Sequence, residues 1–543
     1  MSLDQSLVAE VAEWIALDPS PADAALLQEW LDEGNESELR RCFNGFLQFG
    51  TAGLRGPIGP GPSCMNRAVV HRAAAGIAAY MKERGLTRVV IGRDARYGSE
   101  DFTQESAEVL TGAGMEVFVL PRPMATPVLA YATTALKADV GIMVTASHNP
   151  PQDNGYKVYL GGVVDGTRYA GSQIVSPADI QIAAEISKIH HLAPKKVGWT
   201  VLDDEIFNNY VSATASLARS HHPLKVVYSA MHGVGSESID AVFKKAGFSE
   251  LHYVEEQRMP DPAFPTVAFP NPEEPGAIDL SLALARKIDA DIVIANDPDA
   301  DRCAAAINDP KVGWRMLRGD EVGAILGHYI ATSMKESTAG KAFANSIVSS
   351  SILKKIADKH GIEFSETLTG FKWLAKIPNL CYGYEEALGY CVDASNVNDK
   401  DGISAALLIA QCAGELKASG KTMADYLDEI WDTYGFHASE QISIRVRNIA
   451  QVDSMLARLR KNPPHSVGGF ELTQADDLEH PSDGLPPTNG LRYWFGPNLR
   501  VIIRPSGTEP KVKCYIELCA PQNEAILILP ALRSELADLM AAE

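Results

Sequence analysis

Three aspartates, Asp297, Asp299 and Asp301, stand at alternate positions directly after a short apolar run. In extended backbone such side chains point to one side, so their carboxylates would repel one another unless a cation lay between them. Three hard oxygen ligands suit Mg²⁺, Mn²⁺ or Ca²⁺ better than Zn²⁺. An EF-hand is excluded, because Arg302 stands where that loop needs Gly and Asn308 where it needs Glu. A solvated acidic turn is the alternative, but the apolar flanks favour a metal site.

A candidate nucleophile lies in the segment Thr-Ala-Ser-His-Asn-Pro, which follows the apolar run that ends at Val144. Ser147 beside His148 could be exposed on a tight turn and attack an electrophile. Ser, Asn and Pro also turn the backbone without any catalytic role, and the motif alone favours that plainer role. No G-x-S-x-G sequence occurs, which disfavours a serine hydrolase of the α/β type. The motif alone leaves a nucleophile and a structural turn both open.

Two further motifs could bind a polar ligand. Glu385 and Glu386 lie between glycines, where they could accept hydrogen bonds from vicinal sugar hydroxyls or equally begin a helix. The sequence Arg-Pro-Ser-Gly-Thr, beginning at Arg504, follows a predicted strand over 499–503. An arginine, two hydroxyls and a glycine make a phosphate cradle without a Walker lysine, although a polar turn between strands is the alternative. Arg55, flanked by glycines, is typical of a flexible anion grip.

Composition limits the classes of partner. The 543 residues include 49 Lys+Arg and 69 Asp+Glu, a net charge of -20, which disfavours nucleic acid and anionic membranes as partners. The eight cysteines are scattered and form no C-x-x-C pair, so the sequence predicts neither a zinc ribbon nor a disulfide scaffold. No signal peptide and no apolar run near 18 residues is found, so we expect a soluble cytoplasmic protein. The sequence predicts no particular oligomeric state.

The elements that must position these motifs alternate between strand and helix. After N-terminal helices, the pattern predicts strands over 89–91, 117–120 and 140–144 with helices over 100–112 and 127–136 between them. The rhythm restarts near residue 223 and again with a helix over 319–334, whereas the last hundred residues are polar and interrupted by proline. We therefore predict an α/β protein: three similar α/β domains with mixed, mostly parallel sheets, and a C-terminal α+β domain, around a central cleft. Ligands bind beyond the carboxyl ends of such strands, where the motifs lie.

Taken together and in this order, the motifs resemble the α-D-phosphohexomutase family, the phosphoglucomutases and phosphomannomutases. The resemblance covers about residues 50–515. Two motifs are most similar to the phosphoglucomutase-2/phosphopentomutase-like branch of the family. They are Gly-Tyr-Glu-Glu-Ala-Leu-Gly-Tyr over 383–390 and Thr-Gly-Phe-Lys-Trp over 369–373. The resemblance implies four domains: a phosphoserine domain over 1–220, a metal-binding domain over 221–314, a sugar-binding domain over 315–437 and a phosphate-binding domain over 438–543.

The resemblance also implies a role for each motif residue. Ser147 would carry the phosphoryl group, and one oxygen of that phosphoserine would complete a Mg²⁺ site made by Asp297, Asp299 and Asp301. Arg55, His148 and Arg302 would contact the transferring group or the nearby sugar, and Lys157 and Lys400 would be candidates for the acid/base. Lys372, Glu385 and Glu386 would bind the sugar. The phosphate that does not react would be held by Arg504, Ser506, Gly507 and Thr508.

The implied activity is that of an isomerase, a mutase that moves phosphate between C1 and C6 of an aldohexose through a phosphoserine. A hexose 1,6-bisphosphate would be the intermediate and activator, and glucose phosphates are the first expectation, with mannose phosphates next. A phosphopentomutase with the same mechanism is the alternative, because the branch that the motifs resemble also acts on pentose phosphates. Ala387, where many glucose-specific relatives carry Ser, leaves the identity of the sugar open. A metal-dependent sugar phosphatase and a non-catalytic sugar-phosphate sensor are more remote. A hydrolase would have little use for a second phosphate cradle.

Overall fold

The structure is a computed structural model that describes residues 3–50, 53–334, 338–505 and 511–541. The chain forms two compact units: the first comprises Met1–Leu317 with Leu388–Gly420, and the second comprises Arg318–Ala387 with Lys421–Glu543. The predicted domain boundaries near 220, 314 and 437 stay a prediction. Among the described residues, no helix is both long enough and apolar enough to cross a membrane.

The first unit begins with three short helices that pack on one another. Side chains of Asp4, Ser20 and Asn35 accept hydrogen bonds from the first turns of these helices, which is the usual N-cap arrangement. Their shared core includes Leu7, Val11 and other buried apolar side chains. The two predicted helices are confirmed, and the third had no clear sequence signal. The helices are α1 (Gln5–Leu17), α2 (Pro21–Glu33) and α3 (Glu36–Cys42).

The next region of the first unit is a mixed sheet with the order β1-β5-β4-β2-β3-β9, and β8 pairs with β5. Strands β4, β2, β3 and β9 run parallel, whereas β5 and β1 are antiparallel to their neighbours. Strand β4 is buried at every position, which explains its continuous apolar run. The elements are β1 (Leu54–Pro57), α4 (Arg67–Glu83), β2 (Arg88–Arg93), α5 (Ser99–Gly112), β3 (Glu116–Val119), α6 (Thr126–Ala135), β4 (Val140–Val144), β5 (Asp153–Leu160), β6 (Val163–Val164), β7 (Thr167–Arg168), β8 (Ser172–Gln173), α7 (Ala178–Ser187), β9 (Thr200–Val201) and α8 (Glu205–Ala215).

A second sheet of the first unit has the order β11-β10-β12-β13-β14, with parallel pairs up to β12 and antiparallel pairs beyond it. The turn before α9 packs directly on the aspartate motif. A Cβ on Gly233 would lie 2.3 Å from the Cα of Pro298, so only glycine permits this approach. The elements are β10 (Val226–Ser229), α9 (Gly235–Lys245), β11 (Leu251–Tyr253), α10 (Glu255–Arg258), α11 (Asp279–Ile288), β12 (Ile292–Asn296), β13 (Cys303–Asp309) and β14 (Gly313–Met316).

The second unit contains a third sheet, in which β16 and β17 flank β15 in parallel. Its elements are α12 (Gly319–Ser333), β15 (Ala342–Ser346), α13 (Ile352–His360), β16 (Glu363–Thr367), α14 (Phe371–Leu374) and β17 (Leu380–Glu385). The chain then returns to the first unit with β18 (Gly389–Cys391) and α15 (Gly402–Ala418). Helix α15 packs against β12 and β13, so this stretch supports the sheet that carries the aspartates.

The C-terminal part of the second unit is an antiparallel sheet with the order β19-β24-β23-β22-β21-β20. Its core includes Leu456, Val501, Ile516 and Leu532, contributed by both strands and helices. Three α/β sheets followed by this α+β region confirm the predicted fold class. The elements are α16 (Met423–Tyr434), β19 (His437–Arg445), α17 (Ile449–Lys461), β20 (Ser466–Val467), β21 (Phe470–Asp477), β22 (Leu491–Phe495), β23 (Leu499–Pro505), β24 (Lys511–Cys519) and α18 (Gln522–Ala541).

Candidate active site

Ser147 lies on a tight turn directly after β4. Its φ of 52° is in the left-handed region, which costs a residue other than glycine on the order of 1–3 kcal/mol. The Ser147 N–H donates to Thr145 Oγ1 at 2.9 Å, and the Ser147 hydroxyl donates to Asp297 Oδ2 at 2.7 Å. His148 Nδ1 lies 3.3 Å from the same hydroxyl. The turn therefore aims the serine hydroxyl at the aspartate motif of the neighbouring sheet.

The three aspartates follow β12 and are all buried. One oxygen from each of Asp297, Asp299 and Asp301 lies within 4.8 Å of the others. They meet through a turn in which Ala300 has a φ of 56°, and not through the extended backbone that the alternating pattern predicts. The convergence of the carboxylates therefore follows from the bend of the chain.

Three cationic side chains of the first unit face these carboxylates. Lys157, on β5, donates from Nζ to Asp299 Oδ2 at 2.7 Å and to Asp301 Oδ2 at 2.8 Å. Lys400 Nζ lies 3.3 Å from Asp301 Oδ2, and Arg302 Nε lies 3.8 Å from Asp301 Oδ1. The predicted residues Lys157, Lys400 and Arg302 are thus brought together with the aspartates.

Burial and charge shift the pKa values of this cluster in opposite directions. Burial, followed by the charges of Asp299 and Asp301, raises the pKa of Asp297 well above its ordinary value. Burial also opposes ionisation of Asp299 and Asp301, but Lys157 outweighs it and lowers the pKa of both. The same two carboxylates overcome burial and raise the pKa of Lys157. Lys157 is therefore charged at neutral pH and balances part of the negative charge.

The donor set fits a hard divalent cation. Asp299 Oδ1 and Asp301 Oδ1 are buried and have no hydrogen-bond partner among the described residues. Buried charged oxygens without a partner are costly, and a bound cation would satisfy both. Three carboxylates supply only oxygen ligands, which is the chemistry of a Mg²⁺ site. Asp297, Asp299 and Asp301 would hold the ion, beside the hydroxyl of Ser147.

Arg55 and His148 complete this part of the site. Arg55 lies on β1, which pairs antiparallel with β5, so the predicted flexible glycine grip is wrong at this residue. Its Nη1 donates to Asn149 Oδ1 at 3.1 Å, on the turn that carries Ser147. Burial, followed by the charges of Arg302 and Arg55, lowers the pKa of His148 well below its ordinary value. The imidazole is therefore neutral at neutral pH and can accept a proton.

Lys400 depends on partners that sequence reasoning missed. Its backbone N–H donates to Asp399 Oδ1 at 2.8 Å, while Gln173 Nε2 donates to the other oxygen of that carboxylate at 2.8 Å. A Cβ on Gly389 would lie 2.4 Å from Lys400 Cδ, so glycine is needed for the lysine to pass. These contacts fix the path of the Lys400 side chain. No local pattern could reveal them, because Gln173 is far away in the sequence.

In the second unit, Glu385 and Glu386 lie at the end of β17 and just after it, so the alternative that they begin a helix is wrong. Glu385 Oε1 accepts the Gly370 N–H at 2.6 Å. Glu386 Oε2 accepts the hydroxyls of Ser346 and Ser349 at 3.2 and 3.0 Å. Burial, followed by the charges of Glu385 and Asp320, raises the pKa of Glu386 to about 7.

The remaining predicted residues also belong to the second unit. Lys372 lies on the short helix α14 and is buried, with Nζ 5.9 Å from the ring centre of Trp373. Arg504 lies near the end of β23, opposite Lys513 on β24. Burial raises the pKa of Tyr515 above its ordinary range, with the charge of Glu386 adding to this effect and Arg504 opposing it. The charges of Arg504, Glu385 and Glu386 therefore all act on the Tyr515 hydroxyl. Ser506, Gly507 and Thr508 lie outside the described residues.

Sequence reasoning also missed two residues that hold the two turns of the first unit. Thr126, at the start of α6, donates its hydroxyl to Asp299 Oδ2 at 2.7 Å. Arg96, three residues after β2, donates to four carbonyls of the turn that carries Ser147. The strand-end sequence Gly-Arg-Asp-Ala-Arg over 92–96 was a signal for the arginine, whereas nothing in the sequence singled out the threonine.

Comparison with protein families agrees with the fold. Four family models match along the chain: domains I, II and III of the phosphoglucomutase/phosphomannomutase family and its C-terminal domain, over residues 47–188, 205–312, 318–434 and 444–532. The chain belongs to the phosphoglucomutase/phosphomannomutase family. It is a phosphomutase and therefore an isomerase, as the sequence predicts.

Several curated relatives match over most of the chain. A Haemophilus influenzae protein named "Probable phosphomannomutase" is 45% identical over 464 residues, which cover 83% of this chain and 93% of the relative. The phosphopentomutase of Mus musculus is 35% identical, with 97% of this chain and 92% of that protein covered. The glucose 1,6-bisphosphate synthase of Homo sapiens is 32% identical, with 99% and 94% covered.

Solved structures agree with the fold. The open form of the Paramecium phosphoglucomutase pp63/parafusin superposes with a TM-score of 0.70. The match covers 91% of this chain and 95% of that one, at 19% sequence identity. Similarity at this low identity shows the fold alone.

Proposed function

We propose that this phosphomutase moves a phosphoryl group between C1 and C6 of an aldohexose phosphate, with Ser147 as the carrier. The observation that carries the proposal is the 2.7 Å contact between the Ser147 hydroxyl and Asp297, one of three buried carboxylates that can hold a divalent cation. A serine in this place can take and return a phosphoryl group only beside positive charge. Lys157, Lys400 and Arg302 carry positive charge themselves, and the three aspartates can bind a divalent cation.

The residues of the chain divide the chemistry between them. Mg²⁺, held by Asp297, Asp299 and Asp301, would neutralise the oxygens of the phosphoserine. A substrate hydroxyl oxygen bonds to phosphorus and loses its proton to a nearby base. The bond between phosphorus and Ser147 Oγ breaks, and Oγ leaves with the bonding electrons and takes up a proton, which restores the serine hydroxyl. His148, Lys157 and Lys400 are the candidates for this base, and Arg55 and Arg302 can bind the phosphoryl oxygens. The resulting bisphosphate then reorients in the site and transfers its other phosphoryl group to Ser147.

Features of the second unit support a sugar and a second phosphate. Glu385 and Glu386 offer carboxyl oxygens that can accept hydrogen bonds from vicinal hydroxyls. Lys372 is a buried cation of the same unit. Arg504 adds a cation that the non-reacting phosphate needs. A phosphatase would have no need to hold that second phosphate, which favours a mutase. Retention of Ser147 and all three aspartates likewise disfavours a non-catalytic sensor.

Glucose phosphates are the substrate that we propose first, with mannose phosphates second. The relative named for phosphomannomutase activity has the higher identity, 45%, which supports a hexose. A phosphopentomutase is the second candidate, because a relative of that name matches 97% of the chain. The absence of a serine hydroxyl at Ala387 favours the same candidate, because it removes one contact to a hexose. A hexose 1,6-bisphosphate is the intermediate on the hexose pathway and an activator on either pathway, whereas the pentose pathway has a pentose 1,5-bisphosphate as its intermediate.

The role of Ser147 is tested by measuring the intact mass of the freshly purified protein and of Ser147→Ala. We expect the native protein to contain a fraction with one added phosphate, and the variant to contain none and to lose mutase activity. Ser229→Ala is the matched control, since Ser229 also lies at the end of a parallel strand but donates its hydroxyl to Gln257. Full activity in Ser147→Ala without bound phosphate would contradict the proposal.

The substrate is tested by a panel of 1-phosphates of glucose, mannose, ribose and deoxyribose, each with a trace of hexose 1,6-bisphosphate. Isomerised sugar phosphate and inorganic phosphate are measured in the same samples. We expect the highest kcat/KM with glucose 1-phosphate and little inorganic phosphate. A higher kcat/KM with the pentose phosphates would favour the second candidate, and release of inorganic phosphate from every substrate would identify a phosphatase.

A further inference from the structure

Arg96 is buried behind the turn that carries Ser147, with 4% of its surface exposed. Its Nη2 donates to the carbonyl oxygens of Ser147 and Asn149, both at 2.6 Å. Its Nη1 donates to the carbonyl oxygens of Pro150 at 2.8 Å and Asp153 at 3.2 Å. One side chain therefore binds four carbonyls spread over seven residues of a single turn.

The other side of the Arg96 guanidinium is fixed to the sheet. Asp94 Oδ2 lies 3.3 Å from Arg96 Nε, and Asp94 Oδ1 accepts the Arg96 N–H and the Ser99 hydroxyl. The Asp94 N–H donates to the carbonyl of Val144, the last residue of β4. The Phe264 ring lies against the guanidinium, 4.9 Å from its carbon. The arginine is thus held between the strand end and the turn.

The chemistry of this contact requires a guanidinium. Four carbonyl oxygens that point to one place repel one another, and an arginine meets them with donors fixed in one plane. A lysine offers one nitrogen and cannot reach four acceptors in that arrangement. The turn also contains Ser147 in a left-handed conformation that needs support from its surroundings. Arg96 supplies that support through the backbone carbonyls of the turn.

We propose that Arg96, oriented by Asp94, is a positioning residue that keeps the Ser147 hydroxyl in line for phosphoryl transfer. This inference rests on the proposed role of Ser147 as the phosphoryl carrier. Displacement of a reacting group by about 1 Å can reduce a rate on the order of 100-fold. Loss of the guanidinium removes the hydrogen bonds to all four carbonyls at once. The turn would then be free to move, and the phosphoserine would no longer be aligned with the attacking hydroxyl of the substrate.

The structural half of the proposal is tested by hydrogen exchange in Arg96→Lys. We expect amide protons of the peptide over 145–153 to exchange at least 10-fold faster than in the native protein. Arg93→Lys is the matched control, since Arg93 ends the same strand but its side chain pairs with Glu100 at 3.6 Å. Unchanged exchange of that peptide in Arg96→Lys would overturn the proposal, whatever the function of Ser147.

The catalytic half is tested on protein already phosphorylated at Ser147. After addition of sugar monophosphate, the ratio of phosphoryl transfer to sugar over transfer to water is measured, since this ratio does not depend on the folded fraction. We expect Arg96→Lys to lower the ratio at least 10-fold, because water attacks from many directions and the sugar hydroxyl from one. Arg93→Lys should keep the native ratio, and an unchanged ratio in Arg96→Lys would overturn the proposal.

A second variant covers the case in which Arg96→Lys does not fold. Asp94→Asn keeps the guanidinium and removes the charge that orients it, and we expect a several-fold lower ratio of transfer to sugar over transfer to water. An unchanged ratio in that variant would contradict the role of Asp94. Native protein that carries no phosphate on Ser147 would instead overturn the proposed function, and the hydrogen-exchange result would then show whether Arg96 still holds the turn.

Discussion

Two turns meet in the first unit, and they are held in opposite ways. The turn that carries Ser147 is bound through neutral carbonyls by one buried cation, Arg96. The turn over 297–301 carries three buried carboxylates, which Lys157 and other cations balance. The conformation of the first turn therefore depends on hydrogen bonds to its backbone, and the stability of the second turn depends on the balance of charge. Substitutions in the first should change where the phosphoryl group goes, whereas substitutions in the second should change cation binding.

The largest effect is expected from Asp301→Asn, which removes one carboxylate from the second turn. Loss of a charged oxygen ligand should weaken Mg²⁺ binding and lower kcat on the order of 1000-fold, since a cation contributes several kcal/mol to stabilising the transition state. Calorimetric titration with Mg²⁺ and steady-state kinetics measure the two effects. Asp309→Asn is the control, because Asp309 ends β13 and pairs with Arg315. Native Mg²⁺ affinity in Asp301→Asn would show that the Asp301 carboxylate does not bind the cation.

Lys157→Met separates cation binding from catalysis. The lysine ammonium binds Oδ2 of Asp299 and of Asp301 and would repel a cation on the other oxygens of the same carboxylates, so the variant should bind Mg²⁺ several-fold more tightly at pH 8. Its kcat should nevertheless fall about 100-fold or more, as expected when a proton-transfer group is removed. The same titration and kinetics measure both. Weaker Mg²⁺ binding at pH 8 would show that Lys157 supports the cation instead of repelling it.

Thr126→Val tests a single hydrogen bond to the charged turn. The Thr126 hydroxyl donates to Asp299 Oδ2, and loss of a hydrogen bond to a charged group costs about 1.5–3 kcal/mol. We expect roughly 10-fold lower kcat at limiting Mg²⁺, with partial recovery at saturating Mg²⁺. Thr133→Val is the matched control in the same helix, where the hydroxyl donates to the Leu129 carbonyl. Equal effects of the two substitutions would mean that the Thr126 hydroxyl acts only through packing.

The smallest effect concerns Glu386, a carboxyl group whose pKa of about 7 reflects burial and acidic neighbours. Because its folded pKa is raised, the folded protein keeps a proton that the unfolded chain releases, and stability falls as pH rises from about 4.5 to 7. Glu386→Gln should lack this contribution. Between pH 5 and pH 8, we expect the fall in Tm to be about 3 °C smaller in the variant.

The matched control for that experiment is Glu363→Gln, which changes an exposed glutamate on β16. It should show the native fall in Tm between pH 5 and pH 8. The same fall in Glu386→Gln as in the native protein would mean that the Glu386 carboxyl is ionised throughout this range.

Much of the site could be predicted because its chemistry is concentrated in short segments at strand ends. Ser147 follows β4 and the aspartates follow β12, and both strands are apolar at nearly every position, so their ends were easy to locate. The bend at Ala300 was missed, because alternating residues suggest an extended chain and a single left-handed residue leaves no pattern. Glu385 could not be assigned to strand or helix, because glutamate is common at helix starts and the run is short.

The partners that hold the site could not be predicted for a different reason. Gln173 reaches Asp399 across 226 positions, and Thr126 reaches Asp299 across 173. Such contacts depend on how sheets and helices pack, which no local pattern encodes. The strand that carries Arg55 has no clear sequence pattern, because β1 is only four residues long and contains glycine and proline.

The proposed role of Ser147 is to carry the phosphoryl group beside a cation that the aspartate turn holds. It is tested most directly by a single-turnover experiment with protein labelled with ³²P on Ser147 and excess unlabelled glucose 1-phosphate and Mg²⁺. We predict that the label leaves the protein, appears first in a hexose bisphosphate and then in glucose 6-phosphate. Label that stays on the protein during turnover, or that appears only as inorganic phosphate, would contradict this role.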